Sequence, residues 1–198
     1  MTKAERTRAR LLEASRTVFE RDGFHDARVA DISKAAGVAH GTFYTYFVSK
    51  ADIFRTLMMQ VMEEVYDTHS RSDRSEELTR VQRIERSNRQ FIEVYRRNSQ
   101  MMGLLEQTAT IDDELRAARL NIRHQAVARA RKSIESMKAE GVVKGELNAE
   151  VAASALVSMV SNFVYFWLVV GDLDCDEETA VSALTRLWAT SLGLSYTK

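Results

Sequence analysis

The chain contains no proline, and only eight glycines in 198 residues. Proline fixes φ and removes a backbone donor, so it interrupts helices; without it, long helices run unpunctuated. An all-α fold is therefore the expectation. Cysteine is nearly missing as well. Cys175 stands alone, cannot form an internal disulfide, and fits a reducing compartment. The opening stretch MTKAERTRARLLEAS is charged from its start and holds no apolar signal core, so a cytoplasmic location is expected. The longest apolar run, FVYFWLVV from Phe163 to Val170, reads as too short to span a bilayer, so no membrane partner is expected.

Catalysis and metal chemistry find no pattern either. His25, His40, His69 and His124 lie on four separate segments, no zinc-ligand spacing appears, and no glycine-rich phosphate loop is present. No catalytic residue, metal or cofactor is expected.

What is present is an uneven charge. The net charge is zero, yet the first fifty residues carry nine basic side chains against six acidic ones. Either this is chance or the N-terminal end faces something anionic.

Helical spacing organises the same region. Ala9, Leu12, Ala14, Val18 and Phe19 mark a first helix, with Gly23 as its stop. A short helix over about 28–35 turns Val29, Ile32 and Ala36 inward. Gly37 breaks it, Val38 plugs the turn, and another short helix starts near Ala39. Two short helices joined by a glycine-containing turn form a helix-turn-helix, whose second helix enters the DNA major groove. The segment GVAHGTFYTYFVSK fits that task. Phe43 and Phe47, four apart, supply a packing face, while His40, Thr42, Tyr44, Thr45 and Tyr46 supply hydrogen-bonding tips. Lys50, at the start of the next helix, is placed to hold a phosphate together with helix amides. The other reading is an aromatic mini-core with incidental polar neighbours.

From Arg6 to Phe54 the stretch RTRARLLEASRTVFERDGFHDARVADISKAAGVAHGTFYTYFVSKADIF resembles the DNA-binding domain of the tetracycline-repressor (TetR) family, a likeness covering roughly residues 5 to 54. The likeness rests on Phe19, Gly23 and Phe24; on Val29, Asp31 and Ile32; and on Ala36-Gly37-Val38, Gly41-Thr42-Phe43-Tyr44, Tyr46-Phe47 and Ser49-Lys50. It implies a homodimeric regulator of transcription, usually a repressor released from a palindromic operator by a small molecule. It also implies that His40, Thr42, Tyr44, Thr45, Tyr46 and Lys50 occupy DNA-contacting positions. The sequence departs from the family at Ala27-Arg28 and at Ala39, where hydroxyl residues are usual. Asp26 is a substitute cap for the first short helix, nothing replaces Ala39, and Arg28 offers a charged contact to the DNA backbone.

The expected domains are 1–48, binding DNA, and 49–198, a helical bundle for effector binding and dimerisation. The helix beginning at Lys50 turns Ile53, Phe54, Leu57, Met58, Val61, Met62 and Val65 inward. DTHSRSDRSEE, 67 to 77, reads as a loop. Long helices follow: one with Leu78, Val81, Ile84, Asn88, Phe91, Ile92 and Tyr95 on a face; one over 111–140 with Leu120, Val127, Ala130, Ile134 and Met137 inward; and a nearly all-apolar one over 149–170 capped by Asn148. The last starts at Asp174 or Asp176 and turns Val181, Leu184, Leu187, Trp188 and Leu192 inward. A helix apolar on all sides is buried, within the subunit or against a second copy, and the family resemblance implies a dimer through the last two helices.

FIEVY, SMVSNFVYFWLVVG and LTRLWATSLG are also similar to the mycobacterial ethionamide-resistance repressor subgroup. That likeness implies a lipophilic tunnel lined by Phe91, Tyr95, Ser158, Ser161, Phe166 and Trp188; the alternative is that these residues simply form core. His124, read as inward-facing between Leu120 and Val127, is either hydrogen-bonded structure or a polar contact for a small hydrophobic or amphipathic effector. Two other functions stay open at this point: a DNA-binding dimer without a ligand, and a helical hydrophobe-binding enzyme with a vestigial helix-turn-helix.

Overall fold

The computed structural model describes residues 2–66, 78–143 and 146–196, and every regular element among them is helical. In chain order these are α1 (Lys3–Asp26), α2 (Val29–Ala35), α3 (His40–Tyr46), α4 (Lys50–Tyr66), α5 (Arg80–Arg97), α6 (Ser99–Thr108), α7 (Asp113–Ala139), α8 (Ala149–Tyr165) and α9 (Glu177–Ser191). A π turn, Phe166–Val170, extends α8. The loop read at 67–77 lies outside the described residues. The chain forms two compact units, Met1–Glu63 with Gln100–Arg119, and Glu64–Ser99 with Leu120–Lys198. The expected DNA-binding segment, 1–48, falls wholly inside the first.

In the first unit, Thr2 opens α1 with a reciprocal cap. Its hydroxyl accepts from the Glu5 amide at 3.2 Å, and the Glu5 carboxylate accepts from the Thr2 amide at 2.7 Å. Leu11, Leu12, Val18 and Phe19 are buried, whereas Ala9, expected inward, is exposed and Leu11 takes its place. Gly23 adopts φ 74°, which turns the chain so that the Phe24 ring meets Phe54 of α4 at 4.7 Å. Phe19 reaches the same Phe54 ring edge-on at 4.9 Å. Ile53, Phe54, Leu57, Met58, Val61, Met62 and Val65 are all buried, as their spacing predicts. The sequence reading missed α6, whose Met101, Met102 and Leu105 are buried. Ten residues give too few turns for a periodic pattern to stand out.

In the second unit, α5 packs on α9. A buried polar pair crosses this seam: Asn88 Nδ2 donates to Thr185 Oγ1 at 3.2 Å. The caps fall where hydroxyl and amide chemistry puts them. Asn148 Oδ1 accepts from the amides of Glu150 and Val151, and Asp176 accepts from Thr179. Leu187, expected inward on α9, is 55% exposed.

The apolar run from Phe163 to Val170 is the end of a longer apolar helix, Ala149–Val170, as read from the sequence. It has 22 residues and an 18-residue window of mean hydropathy 1.8, so by length and composition alone it is long and apolar enough to cross a membrane. Its Ala153, Leu156, Val160, Val164 and Trp167 form a buried stripe within the second unit. The opposite side is not covered in the single chain: Val151, Phe166 and Val170 are 65%, 49% and 51% exposed.

Thr185→Val keeps the shape of the α5–α9 seam but removes the acceptor from a buried amide. The expected loss is about 1–3 kcal/mol, the cost of an unsatisfied buried polar group. A urea midpoint equal to that of the parent would show that Asn88 does not depend on this bond.

Candidate nucleic-acid interface

Seven residues are too few to hold a helix in water, so α3 exists because the first unit holds it. Phe43 is fully buried and Phe47 nearly so, their rings 5.9 Å apart. Burying one such ring contributes about 1.5–3 kcal/mol. Arg8 of α1 lies over the outer side of Phe47, its guanidinium carbon 5.1 Å from the ring centre.

The turn before α3 is closed by backbone and by one long side chain. The Val38 amide donates to the Ser33 carbonyl at 3.0 Å and the Gly37 amide to the Lys34 carbonyl at 3.1 Å. Gly37 sits at φ 62°, in the left-handed region that a Cβ disfavours. Arg10, reaching from α1, donates through Nη2 to the carbonyls of Ala36 and Gly37. A Cβ on Gly37 would come within 3.1 Å of that same nitrogen. Glycine is thus required by its torsion, and any side chain there would also push the Arg10 guanidinium aside by a few tenths of an ångström.

The outward face of α3 is chemically different. His40, Tyr44 and Thr45 are exposed, while Thr42 and Tyr46 are half-buried. None of these five side chains makes a hydrogen bond with the described residues. His40 and Tyr44 only approach each other edge-on, at 5.4 Å between ring centres. A short exposed helix that presents an imidazole, two threonine hydroxyls and two phenols without internal partners is suited to reading hydrogen-bonding groups of another molecule. Gly41 leaves open space in the same face, since a Cβ there would meet nothing within 4 Å.

The two flanking cations differ from each other. Arg28 is exposed at the N-cap of α2 and makes no side-chain cap. Asp26 is the last residue of α1 and does not cap α2. Lys50 already holds the fold: its ammonium donates to the carbonyls of His25 at 2.8 Å and Ala27 at 2.9 Å, and lies 4.9 Å from the centre of the Phe24 ring. Ammonium carries three donors, so one remains for an outside acceptor. The Arg10 and Lys50 clasps left no signal in the residue pattern, because each joins residues more than twenty positions apart.

The residues read as effector contacts fall into separate sets. Phe91 and Tyr95 are buried with ring centres 5.5 Å apart. Ser158 accepts from Arg123 at 2.9 Å and donates to the Ser154 carbonyl at 2.8 Å. Trp188 is half-buried against the core formed by Ile134, Met137, Ala153 and Leu156, and Ser161 is half-buried on α8. His124 is exposed, which corrects its inward placement. A 3.6-residue period counted back from Ile134 passes Ala130 and Val127 and arrives at Arg123. That guanidinium takes the inward place, held on the hydroxyls of Ser154 and Ser158. Leu120 is exposed as well. Phe166 is also exposed, because Trp167 continues the buried stripe of α8, its ring 5.9 Å from Phe163.

Helix α3 begins at Ala39 without any side-chain cap. Ala39→Ser supplies an acceptor for its orphan amides, and the expected gain is about 0.5–1 kcal/mol. Thermal unfolding of the two proteins measures it. An unchanged or lower melting temperature would mean that the amides of α3 have no use for that hydroxyl.

Residues 11–57 match the bacterial regulatory proteins of the tetR family. Over 179 residues the chain is 28% identical to the HTH-type transcriptional regulator TtgR of Pseudomonas putida, covering 85% of this chain and 83% of that one. It is 27% identical over 176 residues to the uncharacterised HTH-type regulator YdgC of Bacillus subtilis, covering 87% of each. Among solved structures, Salmonella enterica GusR matches with a TM-score of 0.76 at 19% identity over 98% of both chains. The fatty acid degradation regulator FadR of Bacillus halodurans matches with a TM-score of 0.73 at 22% identity, over 92% of this chain and 94% of that one. At these identities the structural likeness is one of fold. Its N-terminal residues thus match the tetR family, and the relatives aligned along most of its length are HTH-type transcriptional regulators.

Proposed function

We propose that the protein is a cytoplasmic repressor acting as a homodimer on a palindromic operator, and that a small hydrophobic or amphipathic molecule releases it. The observation that carries the DNA-binding part is the outer face of α3, with its five polar side chains left without internal partners among the described residues. In this reading His40 and Thr42, at the N-terminal end of α3, read bases. Tyr44, Thr45 and Tyr46 touch the backbone and its neighbouring base edges, and Arg28 and the third donor of Lys50 add phosphate contacts.

Dimerisation is supported by uncovered apolar side chains on the last two helices. Val151 on α8 and Leu187 on α9 are 65% and 55% exposed, with Phe166 and Val170 of the π turn also uncovered. A second copy is the simplest cover for them. The effector part draws on the likeness to the ethionamide-resistance repressors, with Phe91, Tyr95, Ser158, Ser161 and Trp188 as the residues nearest a ligand.

Two measurements test this. In binding-site selection, Tyr44→Ala should weaken every duplex while keeping the parental consensus. His40→Ala and Thr42→Ala should change the preferred bases, at about 1–3 kcal/mol for each lost base contact. If all three variants select the parental sequence, α3 does not read bases in this way. Separately, Leu187→Glu and Val151→Glu alter exposed positions and should leave a folded monomer by light scattering. Dimers of undiminished stability would place the interface elsewhere.

A further inference from the structure

The second unit contains a partly buried guanidinium without a counter-ion. Arg129 of α7 donates through Nη2 to the carbonyl of Tyr66, the last residue of α4, at 2.9 Å. Its Nε is buried and has no hydrogen-bond partner. Among the described residues, no carboxylate pairs with it. Beside it in the fold, the Tyr66 ring meets Phe91 at 5.7 Å, and Phe91 meets Tyr95 at 5.5 Å.

An arginine kept only for structure would meet a carboxylate or fill its buried donors with neutral oxygens. Arg123 shows the second solution, with two serine hydroxyls on its Nη2. At Arg129 neither condition holds. Burying an ionised group without a partner is unfavourable, and orphaned buried N–H groups are rare. Nε and one Nη lie along a single edge of the guanidinium plane. That edge accepts a carboxylate through two parallel hydrogen bonds.

We infer that Arg129 anchors a carboxylate on the effector, and that the carboxylate competes with the Tyr66 carbonyl for the guanidinium. The anion takes Nε and Nη2 side by side. Nη2 then leaves the last carbonyl of α4, and the end of that helix loses its clasp. Because α4 is continuous from Lys50 to Tyr66, a change at its end acts on the helix that Lys50 fixes to the end of α1. The ligand shifts the equilibrium because it binds better when Tyr66 has been released. The inference rests on the effector-gated reading proposed above and narrows its ligand to an apolar body carrying a carboxylate.

The test uses the full chain with decanoate, dodecanoate and 4-pentylbenzoate, each beside its neutral alcohol. Affinity is read by calorimetry, and release is read by anisotropy of a labelled duplex obtained from site selection. At least one acid should bind the parent roughly tenfold or more tightly than its alcohol, as charge-assisted hydrogen bonds require, and should release the duplex. Arg129→Gln should abolish the preference for the acid while leaving the alcohol affinity unchanged. Arg129→Lys should restore part of the preference, since it keeps the charge without the paired edge. A merely structural arginine would alter stability in both variants and leave the acid-to-alcohol ratio alone. The inference is overturned if no acid outbinds its alcohol, or if a folded Arg129→Gln or Arg129→Lys variant keeps the full parental ratio and Arg129→Gln is still released by acid. Duplex binding without ligand separates this from failure of the wider reading. Tight binding that an alcohol releases leaves an effector-gated repressor with a neutral ligand, whereas no selectable duplex removes the repressor as well.

Discussion

The ends of the helices are held by cations from other helices, and much of the structure depends on that. The last carbonyls of a helix have no intrahelical donor and carry the negative end of the helix dipole. Lys50 of α4 closes the end of α1, Arg10 of α1 closes the end of α2, Arg129 of α7 closes α4, and Arg116 of α7 donates to Ala109 and Thr110 after α6. In a chain without proline, no residue stops a helix by its own covalent geometry. Glycines in the left-handed region do so at Gly37, Gly141, Gly171 and Gly193. Elsewhere each cation both ends a helix and ties it to another, so local termination and tertiary packing become the same bond.

Helix α3 illustrates the consequence. With seven residues and no side-chain cap, α3 has little helical stability of its own. Its inner face supplies that stability through Phe43 and Phe47, and its entry is fixed by the Arg10 clasp on Ala36 and Gly37. The outer face then has no structural task. His40, Thr42 and Thr45 make no hydrogen bond with the described residues, so under the proposed function operator preference would be separable from stability.

Much of this was legible in the sequence, and the exceptions have physical causes. Every apolar residue assigned inward on α4 is buried, because seven such residues over four turns leave only one face to choose. Caps at Asn148 and Asp176 were readable because their side chains act on amides two or three residues away. Helix α7 was less readable. Its apolar stripe is sparse, so the inward place at its third turn was given to His124, when Arg123 holds it through Ser154 and Ser158. A long charged side chain is a poor candidate for the inside until its distant partners are known. The cationic clasps share that property, so the second task of Lys50, holding the carbonyls of His25 and Ala27, left no sign in the sequence.

The same bonds change how the charge of the N-terminal segment is understood. Nine basic side chains in the first fifty residues suggested a surface facing a polyanion. Arg10 has its Nη2 on the turn carbonyls, and Lys50 has two of its donors on the end of α1. Arg16 and Arg21 are matched by Glu20 and Asp22 at 2.9 and 2.5 Å. Arg10 and Lys50 keep their charge, since carbonyls are neutral partners, and Lys3, Arg6, Arg8, Arg28 and Lys34 are exposed. Counterion release counts only charges that reach the phosphates. A salt dependence estimated from composition alone would therefore be too steep, because Arg16 and Arg21 are already paired with carboxylates inside the protein. In the proposed DNA complex the uncharged tips of α3 would add hydrogen bonds that depend far less on ionic strength.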